Sequence, residues 1–124
     1  MGWFGRLNTE GGRIDLKRSG TFGLVTAARA LAIRHHVIER STFARLAGVG
    51  AKSLGHEIDF GRIQGALELF LSFILTQQLR DIAEGRQPTN KVAVQALSRF
   101  QREQLREALG AVEHVDDFVQ DLLF

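Results

Sequence analysis

Few residues in this chain have the type and spacing for chemistry. There is no cysteine. That removes thiolate nucleophiles, disulfides and cysteine-ligated metal, and it fits a reducing compartment. His35 and His36 are adjacent, so on a helix their side chains diverge. With no third ligand at a suitable spacing they predict no metal site, and near a helix C-terminus they complement the dipole. A metal centre that handles phosphates needs closely placed carboxylates. Asp116-Asp117 is the only acidic doublet, and its place on an amphipathic segment reads as a solvated face. Glu68 stands inside an apolar run, where a carboxylate needs a partner; Arg29 or another base from the front half is expected to supply it as a structural ion pair. Gln77, Gln78 and Arg80 form a polar patch just past that run. With Thr76 they could line the mouth of a pocket, although plain surface is the simpler reading. No P-loop, dinucleotide glycine motif, zinc-helix motif or nucleophile motif is present.

These residues need a scaffold. A chain of 124 residues, 44% hydrophobic and 24% charged, suits one globular domain with a single core. The longest apolar run is about half of the roughly 20 residues a spanning helix needs. The start, Met1-Gly2-Trp3-Phe4-Gly5-Arg6, has no apolar h-region, so a cytoplasmic protein is expected. Net charge is only +2. Residues 1–62 carry ten Lys/Arg against five Asp/Glu, and residues 63–124 carry six against nine. Two halves packing on each other explain that asymmetry more simply than an anionic ligand does.

Hydrophobic spacing predicts a central helix over Ile58–Glu84. The run Ala66 to Leu75 is apolar in nearly every direction, which predicts burial on several sides. Ser53 is the expected N-cap, Gly61 and Gly65 are expected to admit a neighbouring helix closely, and Gly85 with Pro88 ends the element. Before it, Thr21 is read as the N-cap of a first helix with the stripe Leu24, Val25, Ala28, Leu31 and Ala32. Ser41-Thr42 is read as capping a short second helix from Phe43 to about Ala47. Residues 1–20 are an N-terminal extension, turn-rich from Asn8 to Gly20, in which Ile14-Asp15-Leu16-Lys17 alternates as a loop or a single edge strand would. Val92–Leu97 reads as a connector. Ser98-Arg99-Phe100-Gln101 reads as a capping box that opens a last helix running towards Phe124, with the stripe Leu105, Leu109, Val112 and Val115. The expected fold is all-α: an up-and-down bundle of about four main helices over residues 21–124, with a short irregular N-terminal extension.

Several stretches together resemble one family. They are Gly12-Arg13-Ile14-Asp15-Leu16-Lys17-Arg18-Ser19-Gly20, Ala27 to Ala32, Ser41 to Leu46, Gln78, the turn from Gly85 through Pro88 to Asn90, and Leu97-Ser98 followed by Leu105 to Ala108. In order and spacing they are similar to the putative nucleotidyltransferase substrate-binding domain, and the similarity covers nearly the whole chain. Where the family carries basic residues just before Gln78, this chain has Ile74, Thr76 and Gln77. That weakens a basic stripe for an anionic substrate. The resemblance implies the C-terminal part of a bacterial signal-transduction protein, following a cyclic-nucleotide-binding-like domain, CBS domains and a nucleotidyltransferase domain. The chain would then be one helical domain, 1–124, excised from a larger protein and not catalytic on its own. Mg²⁺ and a nucleoside triphosphate would belong to the preceding domain.

On that reading Asp15, Lys17, Arg29, Gln78 and Asn90 are the candidates for the surface facing the acceptor, a protein or small molecule. The rival reading is a regulatory module that docks or forms a homodimer through Trp3, Phe4, Leu122, Leu123 and Phe124. A nucleic-acid-binding bundle is disfavoured by the low net charge and the lack of a basic cluster, and no membrane partner is expected.

Overall fold

The computed structural model describes residues 11–34, 41, 44–45 and 60–123. In chain order they form strand β1 (Arg13–Asp15), a π-helical turn (Lys17–Thr21) and helix α1 (Phe22–Arg34). Helix α2 (Phe60–Ala83), strand β2 (Lys91–Ala93), a 3₁₀ turn (Val94–Ala96) and helix α3 (Arg99–Leu123) follow. The expectation of a mostly helical fold holds, but a small sheet accompanies the helices, so the all-α class does not. Among the described residues there are three α-helices and one two-stranded antiparallel sheet. Of the second helix expected after Ser41-Thr42, the Ser41 hydroxyl accepts the Ala44 N–H at 3.0 Å, as a cap does. The rest of that helix, Ser53, His35, His36, Trp3, Phe4 and Phe124 lie outside the described residues.

The sheet exists because two short β-branched segments bury one side chain each. Ile14 and Val92 are register partners, both buried, and Arg13 pairs with Ala93 and Asp15 with Lys91. The ladder is extended by a hydrogen bond from Val94 N–H to Gly12 O at 3.0 Å, and Arg13 Nη1 donates to Lys91 O at 3.0 Å. What the sequence presented as a connector is therefore the strand that β1 needs.

Thr21 is not an N-cap. Its hydroxyl donates back to Lys17 O at 3.2 Å, and the Phe22 N–H reaches the same carbonyl. The wide turn thus runs unbroken into α1. The side chain that caps this helix is Asp15, whose Oδ1 accepts the Arg18 N–H at 3.1 Å. Gly20 is buried against the Phe70 ring, so close that a Cβ there would lie 2.8 Å from ring carbons.

Helix α3 packs along both α1 and α2, while the π-turn and β2 also pack on α2. The core gathers Leu16, Leu24, Leu31, Phe70, Val94, Leu105 and Val115, all fully buried. The α1 stripe is Leu24, Ala27, Ala28, Leu31 and Ala32, with Val25 half-buried. Along α3 it is Leu105, Ala108, Ala111, Val112 and Val115, with Leu109 half-buried. The predicted capping box is present: Gln101 N–H donates to Ser98 Oγ at 3.1 Å and Ser98 N–H to Gln101 Oε1 at 2.8 Å.

Three expectations for the central helix need correction. It is not covered on every side: Leu71, Leu75, Leu79 and Ile82 are 46–60% exposed. They lie to one side of Ile63, Leu67, Phe70 and Ile74, which are buried in the core. Glu68 is exposed, and no ion pair joins it to Arg29, which is exposed on α1. Gly65 admits no close neighbour, since nothing lies within 4 Å of a Cβ built there. Among the described residues no helix is long and apolar enough to cross a membrane.

Candidate functional site

The polar chemistry collects where the C-terminal end of α2 meets the sheet. The buried stripe of α2 continues past Phe70, Phe73 and Ile74 into two polar residues, Gln77 and Asp81, each 2% exposed. Gln77 Nε2 donates to Asp81 Oδ1 at 2.9 Å, and Gln77 Oε1 accepts the Ala93 N–H of β2 at 3.1 Å. Asp81 Oδ2 accepts the Thr89 N–H at 3.1 Å, and Arg86 Nη2 stands 3.5 Å from Asp81 Oδ1. Arg86 also pairs with Glu84. A buried carboxylate is costly unless its oxygens are met; here an amide, a backbone N–H and a guanidinium meet them.

The same corner shows why the chain turns there. Gly85 takes φ +73°, the left-handed conformation that a glycine adopts without strain. Gly85 N–H donates to Ile82 O at 3.0 Å and Arg86 N–H to Asp81 O at 2.7 Å, the paired bonds of a Schellman stop. Pro88 follows, as expected from the sequence. The chain then reaches Asn90, where Gln78 Nε2 donates to Asn90 Oδ1 at 3.2 Å and Asn90 O accepts the Leu16 N–H at 3.1 Å.

Of the five candidates for the acceptor-facing surface, three are therefore brought to one corner. Gln78 and Asn90 touch, and Asp15 lies opposite Lys91, the residue after Asn90. Lys17 is exposed on the adjoining turn. Arg29 stands apart, twelve residues further along the helical segment that starts at Lys17, or on the order of 18 Å at 1.5 Å per residue. Leu122 and Leu123 are described only as helical backbone. Asp117 is exposed, as a solvated face would have it.

Sequence reasoning missed Asp81 and took Gln77 for part of a surface patch. The signal was their spacing: Phe70, Phe73, Gln77 and Asp81 keep the three-four step of the buried stripe. Beside this corner lies a pocket of about 90 Å³ bounded by α2, β2, the 3₁₀ turn and the start of α3. A second, more open groove of about 190 Å³ between α2 and α3 is lined by Arg62, Gly65, Leu69, Gln104 and Glu107. Gly65, without a close neighbour, widens that groove. Among the described residues no group of three His, Asp or Glu side chains is placed to hold a metal ion.

The family model for the Putative nucleotidyltransferase substrate binding domain matches residues 1–122, and the chain belongs to that family. No curated protein and no solved structure matches the chain.

Proposed function

We propose that this chain is an accessory domain that holds and positions the acceptor for a nucleotidyltransferase domain and does no chemistry itself. The observation that supports this reading most is the family match over residues 1–122. The transferase domain would precede it in the same chain and supply Mg²⁺ and the nucleoside triphosphate. The setting would be a cytoplasmic, CBS-associated bacterial signal-transduction protein. Asp15, Lys17, Gln78 and Asn90 would face the acceptor at the sheet corner, with Arg29 further along α1. Gln78, Asn90 and Asp15 also fix the local fold, whereas Lys17 and Arg29 are exposed. These two cations therefore separate function from folding. In a protein that joins this domain to its transferase, transfer of label from ATP, UTP, GTP or CTP is expected to fall in Lys17→Ala or Arg29→Ala with the unfolding midpoint unchanged. Transfer in both variants equal to that of the unsubstituted protein would remove these residues from the acceptor surface.

A second reading, a regulatory docking or dimerisation module, is favoured by the exposed line Leu71, Leu75, Leu79 and Ile82 on α2. Four large apolar side chains along one helix face are typical of a surface that another chain covers. Sedimentation of the chain over a range of concentrations tests this reading. A mass that doubles, and returns to the monomer value in Leu75→Glu, supports it, and a constant monomer mass contradicts it.

A further inference from the structure

The pocket of about 90 Å³ beside the sheet corner is built from donors. Ser72, Thr76 and Arg80 recur every fourth residue along one edge of α2 and line one wall, because side chains at i and i+4 stack on the same helix face. Gln101, in the first turn of α3, lines the opposite wall, over a floor that includes Phe73 and Val92. Gln101 spends its Oε1 on the Ser98 N–H, which leaves its amide NH₂ for the pocket. Gln77, deeper in, has both amide atoms committed, to Asp81 and to Ala93. Among the described residues the Ser72 and Thr76 hydroxyls and the Arg80 guanidinium have no hydrogen bond or ion pair. No carboxylate lines the pocket, and Arg80 is its one charged residue.

We infer that this pocket takes one compact oxyanion, a phosphoryl or carboxylate group, borne by the molecule the domain binds. A guanidinium, two hydroxyls and an amide offer only donors or groups that can turn to donate, and charge-assisted hydrogen bonds to an oxyanion are the stronger kind. The pocket has several times the space that one water needs, and its apolar floor limits competition from solvent. A single cation suits a single anionic group. The inference rests on the substrate-binding reading for the identity of the bound molecule, but not for the binding itself.

The test is a titration of the 124-residue chain with inorganic phosphate and, separately, with acetate, at ionic strength matched with chloride and followed by amide NMR shifts. Saturable shifts are expected in residues 72–80 and 92–101 with at least one of the two anions, and the better anion names the group. In Arg80→Gln the dissociation constant is expected to rise about tenfold, the scale of one lost charged hydrogen bond. Thr76→Val, also at an exposed position, is expected to weaken binding less. Arg62→Gln, in the other groove, is expected to leave it unchanged. Linear shifts with neither anion saturating, or equal affinity in Arg80→Gln and Thr76→Val, would overturn the inference. Because the titration needs no transferase, such a result leaves the acceptor-positioning reading standing. A transfer assay indifferent to this domain would remove that reading and leave the titration as the judge of the pocket.

Discussion

Gln77 and Asp81, one helical turn apart on α2, share a buried hydrogen bond of 2.9 Å, and through it the helix holds both β2 and the turn that precedes it. Asp81 is thus a structural anchor under the candidate surface. Replacing it with Ala strands the Gln77 amide and the Thr89 N–H. The expected loss is about 2–3 kcal/mol of unfolding free energy, read as a lower midpoint in urea. Asp81→Asn keeps a carbonyl oxygen as an acceptor and is expected to lose less. A midpoint unchanged in Asp81→Ala would show that the anchor carries no weight.

Gln78 and Asn90 form the contact between two candidate surface residues, at 3.2 Å and partly buried. A double-mutant cycle of Gln78→Ala and Asn90→Ala isolates it. The expected coupling is about 0.5–1.5 kcal/mol, the net worth of a neutral hydrogen bond. Additive effects within about 0.3 kcal/mol would mean that the two side chains do not act together.

Gly20 is needed for what it lacks. A methyl group at that position would press on the Phe70 ring, and both residues are buried. Gly20→Ala is expected to destabilise the fold by about 1–3 kcal/mol through overpacking. Part of that loss is expected to return in the double variant with Phe70→Leu. Calorimetric melting of the three variants distinguishes this from a backbone effect, which the smaller ring-free side chain would not rescue.

Ser98 and Gln101 cap α3 reciprocally. Ser98→Ala is expected to cost about 1 kcal/mol, measured by denaturant unfolding. It also frees Gln101 from its fixed pose, so phosphate or acetate binding in the adjoining pocket is expected to weaken with it.

The parts of the fold legible in the sequence were those with long periodicity or a local stop signal. The stripes of α1 and α3, the Ser98 capping box and the Gly85-Pro88 exit all repeat or close within a few residues. The sheet was half visible. Alternation around Ile14 suggested a strand, but Val92-Ala93-Val94 is too short to show a period, and its partner lies 78 positions away. The capping role of Thr21 failed because a π-turn precedes α1 without a break, so Asp15 does the capping six residues earlier. The apolar surround of α2 led to too much burial, because composition cannot say how many neighbours a helix has. At the site, Gln78 and Asn90 were named from family resemblance and prove to touch. Asp81 went unnoticed because a lone acid after two glutamines looks like an exposed helix end.

On the proposed reading, this domain serves a transferase by presenting the acceptor. The most direct measurement is label transfer from each of the four nucleoside triphosphates by the protein that carries both domains, with residues 1–124 present or removed, and with nucleotide binding followed in parallel. Removal is expected to abolish transfer while nucleotide binding persists. Transfer that continues unchanged without residues 1–124 would contradict that reading.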